Sequence, residues 1–157
     1  RDEFAGYTES PDAYERNMER LLVKWDTAKK LVPAAEVHAT DKRVGVIFYG
    51  TTALPMPEAM DRLSEEGITL DTCRIRAFPF GEEIIDFVNN HELVFVVEQN
   101  RDAQMRTLLI NEGDFDPSKF VAILYFGGLS ISADTIQQQI SDYYKENKLP
   151  RLTEVSS

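Results

Sequence analysis

Four apolar segments, each followed at short range by a helix-like pattern, constrain this chain more than any other feature. Val44 to Tyr49 (VGVIFY) is a nearly continuous apolar run, as expected of a strand covered on both faces. Gly50-Thr51-Thr52 turns the chain, and Glu58 to Glu66 reads as a helix with Ala59, Met60 and Leu63 inward, closed by Gly67. The next strand is centred on Leu70 to Ile75, and its less clean alternation places it nearer an edge. Phe78-Pro79-Phe80-Gly81 then leads into a helix from Glu82 to Asn89, with acids in the first turn where the helix dipole favours them. Leu93 to Val97 and Val121 to Phe126 are two further strands, followed by helices from Ala103 to Asn111 and from Ser132 to Glu146. Strand and helix alternating at this spacing predict parallel strands joined by right-handed crossovers, with helices on both faces.

Upstream of this repeat the pattern changes. Ser10 caps and Pro11 opens a helix running to about Leu31, with Tyr14, Met18, Leu21, Leu22 and Trp25 at helical spacing. That stripe is expected to lie on a neighbour. Pro33 stops the helix, and Glu36 to Ala39 has the pattern of a short strand. The expected organisation is a linker and helix over 1–33, an α/β domain over 34–148 and a flexible tail over 149–157. Arg1 stands where a start methionine would be, so the chain reads as processed or cut from a longer protein.

Composition removes several classes of function. The formal net charge of −10 repels phosphate backbones and anionic lipid heads, so neither nucleic acid nor membrane is expected as a partner. No apolar stretch approaches the roughly 20 residues of a transmembrane helix. Cys73 is the lone cysteine; one thiol builds neither a disulfide framework nor an iron–sulfur site, and its apolar surroundings suggest a buried small hydrophobe in a reducing, cytoplasmic setting.

In an open parallel sheet, ligands and partners meet the loops after the strands' carboxyl ends. Here those loops are Gly50-Thr51-Thr52, Ala77 to Gly81, Glu98-Gln99-Asn100 and Gly127-Gly128-Leu129. The first contains hydroxyls and a glycine, but GxGxxG and GxxxxGK[ST] are both missing and Pro55 and Pro57 remove two amide donors. The third is the most unusual, an acid and two amides directly after an apolar strand, ahead of a helix carrying Gln104. It reads equally as a polar cluster facing a partner and as a helix cap built on Asn100 or Asp102. His38 and His91 lack neighbours at metal-ligand spacing, and His91 sits at a helix end, a common structural place. Glu65-Glu66 and Glu82-Glu83 diverge on their helices and read as solvated faces. No catalytic, cofactor-binding or metal-ligating residue emerges.

The same loops carry a resemblance. Asp2-Glu3-Phe4 with Tyr7 to Pro11, Tyr49-Gly50-Thr51-Thr52, Arg74-Ile75-Arg76 with Phe78-Pro79-Phe80, Val97-Glu98-Gln99-Asn100 with Gln104, and Phe126-Gly127-Gly128 with Ser132-Ala133-Asp134 occur in the order and spacing of one family. The chain resembles the alpha subunits of 2-oxoacid:ferredoxin oxidoreductases, especially the 2-oxoglutarate class. It departs from them at Ala5 and Gly6, at Gly81, and at Ala103, where the family usually has glycine. The resemblance implies a transketolase-C-like domain, a three-layer α/β/α sandwich on a mostly parallel five-stranded sheet whose first strand is antiparallel. It implies a parent enzyme that uses thiamine diphosphate, Mg²⁺ and an iron–sulfur cluster to convert a 2-oxoacid and CoA to acyl-CoA, CO₂ and reduced ferredoxin. This chain would itself hold none of those cofactors and would be inactive alone. It would be a scaffold whose partners are the preceding alpha-subunit domains and the beta subunit, with Gly50, Thr51, Thr52, Glu98, Gln99, Asn100 and Gln104 as interface or pocket-rim positions. The equivalent domain of another thiamine-dependent enzyme, such as a transketolase, and a stand-alone α/β interaction module are the alternatives.

Overall fold

Alternation of side chains along each strand decides the layering. In the computed structural model, which describes residues 1–151, five strands form one sheet: β1 (Glu36–His38), β2 (Val44–Tyr49), β3 (Asp71–Ile75), β4 (Leu93–Glu98) and β5 (Phe120–Leu124). Their order is β1-β3-β2-β4-β5, with β1 antiparallel to β3 and every other pairing parallel. Val46, Phe48, Phe95, Val97 and Ile123 point to one face, where α2 (Met56–Glu65) and α5 (Ala133–Glu146) cover them with Met56, Ala59, Leu63, Ile136 and Ile140. Ile47, Cys73, Val94, Val96 and Phe120 point to the other, beneath α3 (Glu82–Asn90) and α4 (Gln104–Gly113). The two-sided burial read from the apolar runs is therefore real, and the three-layer sandwich with an antiparallel first strand is the observed fold.

Close approach of α3 to β2 depends on Gly45. A Cβ built there lies 2.7 Å from the Phe87 ring, so the strand–helix spacing leaves no room for a larger residue. β3 lies next to the sheet's edge rather than on it, because β1 pairs outside it. The edge itself is guarded by charge: Glu36 of β1 pairs with Arg74 and Arg76, a common protection against edge-to-edge association.

Several boundaries differ from the sequence reading. α2 begins at Met56 rather than Glu58, because Pro57 falls in the first turn, where its missing N–H costs nothing. β5 spans Phe120–Leu124, one residue earlier at its start and two at its end than expected. The loop after α4 contains a 3₁₀ turn, Pro117–Lys119, capped by Asp116, whose carboxylate accepts from the Ser118 amide. Leu149, placed by sequence in a loose tail, packs against the core, and Arg151 reaches Glu66 and Ser141; the rest of that expected tail, 152–157, lies outside the described residues. For the first helix, the neighbour expected under the stripe is for the most part not found within the described residues. α1 (Pro11–Lys29) forms, yet Ala13 is its one buried residue and its apolar stripe faces outward. Its aromatic anchor is Trp25, edge-on to Phe78 with ring centroids 5.1 Å apart.

At the entry end of the sheet a buried polar pair fixes the connection between β1 and β2. Asp71 and His91 are both almost fully buried. Asp71 Oδ1 accepts from the Thr40 amide at 2.8 Å and hydroxyl at 2.9 Å, and Oδ2 from the Lys42 amide at 3.1 Å. His91 lies with Nε2 3.2 Å from Asp71 Oδ2 and Nδ1 2.5 Å from the Phe87 carbonyl. Burial pushes the Asp71 carboxyl upward, but the donors from Thr40, Lys42 and His91 outweigh it and hold the group below the ordinary aspartate range. A value lower in the folded than in the unfolded state gives stability that is complete above about pH 3.9 and lost as pH falls through the folded value. We expect Asp71→Asn to lower stability at pH 7 and to flatten the loss of stability below about pH 4. Urea unfolding of both chains across that range is the measurement, and an undiminished acid slope in the variant would contradict the assignment.

Candidate functional site

The exits of β2, β3, β4 and β5 lie on one rim, and a buried acid organises it. Glu98, the last residue of β4, is 0% exposed. Its Oε2 accepts from the Met105 amide at 2.7 Å and its Oε1 from the Arg106 amide at 2.9 Å, two of the orphan donors at the start of α4. A carboxylate at a helix N-terminus also meets the positive end of the dipole. Asn100 Nδ2 donates to Glu98 Oε2 at 2.8 Å, and Asn100 Oδ1 accepts from the amides of Asp102 at 3.1 Å and Gln104 at 3.3 Å. The cap reading of the loop thus describes Glu98 and Asn100, although the main capping group is the acid seven residues upstream of Met105 rather than Asp102. Burial first, and then the Glu98 charge, push the half-buried Tyr49 phenol above its ordinary value, which keeps it a neutral hydroxyl.

Gln99 ties the loops to one another. Its Nε2 donates to Thr51 Oγ1 at 3.0 Å and Thr52 Oγ1 at 3.1 Å, and its Oε1 accepts from the Ile131 amide at 3.2 Å. One side chain therefore joins the loop after β2, the end of β4 and the segment after β5. Thr52 is buried, whereas Gly50, Thr51 and Gln104 are exposed. Gly50 sits at φ +58° with open space around it, so its role is conformational: a left-handed residue where the chain leaves β2. The hydroxyls of Thr51 and Thr52 both accept from Gln99, which holds this turn against the end of β4. Leu54, Phe78, Phe126 and Leu129 remain exposed from the same exits, and they give the rim an apolar outer margin.

Sequence reasoning missed what holds the rim from beneath. Ala103 adopts left-handed φ 50°, ψ 48° just before α4, the conformation glycine takes without strain; the departure from the family pattern at this position was the available signal. Arg106 donates from Nε to the Phe120 carbonyl at 3.2 Å and from its guanidinium to Pro117 at 2.9 Å, which locks α4 to the start of β5. The acid pairs are not simple solvated faces either: Glu66 accepts from Ser141 at 2.6 Å and from Gln137, and Glu83 from the Ala35 amide at 2.8 Å.

Among the described residues the groups that could serve a redox cluster or a metal are few and scattered. Burial, with Glu83 nearby, pushes the Cys73 thiol up to about 12, and iron–sulfur ligation needs thiolates. Among the described residues no three His, Cys, Asp or Glu side chains come together as a metal set. A cleft at the opposite end of the sheet is lined by Arg43, Leu93, Tyr144 and Arg151 among others, but both arginines are already paired, with Glu92 and Glu66. Among the described residues no helix is long and apolar enough to cross a membrane.

No protein-family model matches the chain. Over 145 residues it is 28% identical to the 2-oxoacid:ferredoxin oxidoreductase subunit alpha of Saccharolobus solfataricus, covering 88% of this chain and 23% of that one. Over 114 residues it is 29% identical to the alpha subunit of 2-oxoacid:ferredoxin oxidoreductase 2 from Aeropyrum pernix, covering 69% and 18%. This chain is similar to 2-oxoacid:ferredoxin oxidoreductase alpha subunits. It spans less than a quarter of the length of these curated relatives. The fold also recurs in the solved 2-oxoglutarate:ferredoxin oxidoreductase of Magnetococcus marinus, with a TM-score of 0.74 at 22% identity, over 86% of this chain and 24% of that one. The likeness read from the loop motifs and their order thus agrees with whole-chain comparison, and the rim residues that carry it are those that hold the exits together.

Two substitutions should move stability in opposite directions. Glu98→Ala strands two buried amides and the Asn100 side chain, and should cost about 2–4 kcal/mol. Ala103→Gly relieves the left-handed backbone and should gain about 0.5–1 kcal/mol. Urea midpoints of the two variants against the parent chain test both.

Proposed function

We propose that this chain is the C-terminal, transketolase-like domain of the alpha subunit of a cytoplasmic 2-oxoacid:ferredoxin oxidoreductase, with 2-oxoglutarate as the 2-oxoacid. The observation that carries the proposal is the 145-residue likeness to a curated alpha subunit, spanning 88% of the chain. The choice of 2-oxoglutarate is supported by the M. marinus protein, solved with 2-oxoglutarate, coenzyme A and succinyl-CoA bound. In this reading thiamine diphosphate with Mg²⁺ supplies the decarboxylating carbanion chemistry and an iron–sulfur cluster carries electrons to ferredoxin, yielding acyl-CoA and CO₂. In this reading those groups sit in the preceding alpha-subunit domains and the beta subunit; support comes from the single, buried Cys73 and from the lack, among the described residues, of a three-ligand His, Cys, Asp or Glu set.

The work of this chain is then positional. Glu98 and Asn100 fix the start of α4, Gln99 fixes the loops after β2 and β5 relative to it, and the margin of Leu54, Phe126 and Leu129 presents apolar surface to a neighbour. A rim pre-organised in this way lowers the entropy cost of docking. Calorimetric titration of the isolated chain with thiamine diphosphate and Mg²⁺ should show no binding; micromolar affinity would overturn the scaffold role. Co-expression with the preceding domains and beta subunit should give 2-oxoglutarate-dependent reduction of a viologen dye. Gln99→Ala, which frees the loops on either side, should lower that rate about ten-fold or weaken assembly by a similar factor, at roughly 1–2 kcal/mol of lost organisation.

A further inference from the structure

Both ring nitrogens of His91 face oxygen atoms that call for a donor. Nδ1 lies 2.5 Å from the Phe87 carbonyl oxygen, and Nε2 lies 3.2 Å from Asp71 Oδ2. A neutral imidazole has one N–H and one lone pair. Either neutral tautomer therefore aims a lone pair at an acceptor, in a site where both side chains are almost fully buried and unmatched polar groups are costly. Turning the ring over does not resolve the conflict. It would set ring carbons against both oxygens and swing Nδ1 to the side of Gly45, where a Cβ would lie 3.2 Å from the present Cδ2.

The site is matched only with one more proton between Nε2 and Oδ2, and the other donors decide where it resides. The Thr40 amide and hydroxyl and the Lys42 amide all donate to Asp71. Burial opposes an ionised carboxyl there, but these donors outweigh it. A carboxylate that already accepts several hydrogen bonds keeps its charge, so the proton belongs to the ring. Further charges stand at this end of the sheet: Lys42 in the connection, Arg43 paired with Glu92, and Lys119, whose Nζ donates to the Val88 carbonyl at 2.9 Å. Arg43 and Glu92 offset one another, and Lys42 and Lys119 oppose a third cation, so Asp71 is the group that holds it. We propose that His91 is a buried imidazolium in the folded chain at neutral pH, and that loss of its second proton unlatches the β1–β2 connection. Thr40 and Lys42 hang on the carboxylate that the imidazolium steadies, and Asp41, Lys42 and Arg43 line the cleft at this end. The latch rests on the buried pair and not on the oxidoreductase reading.

A proton held by the folded but not by the unfolded chain gives stability that is complete below about pH 6.5, the ordinary histidine value, and lost as pH rises. In urea unfolding of the full 157-residue chain, the folding equilibrium constant should fall by up to about ten-fold per pH unit above that point, and His91→Gln should remove this slope. Nitrogen-15 NMR of the ring-labelled parent chain reads the charge directly, with His38→Gln identifying the His91 signals. At about pH 7.5 both His91 nitrogens should carry protons. In Asp71→Asn, whose side-chain amide can donate to Nε2, a proton should remain on Nδ1 alone. Hydrogen exchange at the Thr40 and Lys42 amides should accelerate, once the ring loses its proton, beyond the ordinary base-catalysed rise. A His91 ring with one protonated nitrogen at about pH 7.5 overturns the proposal, as does a stability slope that His91→Gln leaves unchanged. Exchange at Thr40 and Lys42 that follows base catalysis alone overturns the latch.

Discussion

A carboxylate with no exposed surface at the end of a central strand is costly to bury unless donors surround it. Glu98 is in that position, and its donors are the first amides of the helix that follows. The arrangement therefore couples two elements that sequence separates by a short irregular loop: the end of β4 and the start of α4. Once that junction is fixed, Asn100 has a set orientation, held to Glu98 on one side and to two backbone amides on the other. Gln99, on the opposite face of the chain from its neighbours, is aimed at Thr51, Thr52 and Ile131. The rim's geometry follows from one buried acid.

Asp71 at the other end of the sheet uses the same device. It too is a buried carboxylate at a strand terminus, and it too accepts from backbone amides of a neighbouring connection, here Thr40 and Lys42. Parallel strands covered on both faces by aliphatic side chains specify register only weakly through polarity, since a slip exchanges one apolar surface for another. Acids at the strand ends supply the missing specificity, because a slip by one residue would pull them from their donors. His91, which joins Asp71 to the Phe87 carbonyl, extends the constraint to α3.

The strand–helix alternation, the apolar faces and the burial of Cys73 were legible in the sequence because they rest on period and composition. So was the location of the rim, because parallel strands must exit at one end. What stayed hidden was the use of each polar residue there. The Glu98-Gln99-Asn100 triplet reads equally as a cap and as a contact surface, since local spacing does not reveal that Glu98 reaches seven residues forward or that Gln99 spans to Thr51. Glu66 and Glu83 were misread for the same reason, as their partners Ser141 and Ala35 lie far along the chain. α1 marks a different limit: its pattern gives a helix, but a stripe in a sequence does not say whether the surface opposite it belongs to the same chain.

The distribution of polar groups at the rim bears on how such a domain recognises a neighbour. Gln99, Asn100 and Glu98 are occupied within the chain, and the Thr51 and Thr52 hydroxyls accept from Gln99. The carboxylate and amide groups of these residues are largely engaged within the chain, while Leu54, Phe126 and Leu129 are exposed beside them. In the proposed docking role, recognition on this surface would draw on shape and apolar contact held on a rigid polar frame. In such interfaces well-packed apolar anchors carry most of the energy and the surrounding groups exclude water. In that proposed role the polar triplet that dominates the sequence signature would contribute by keeping the apolar margin in place, and substituting it would disturb docking through the geometry of residues that it never itself presents.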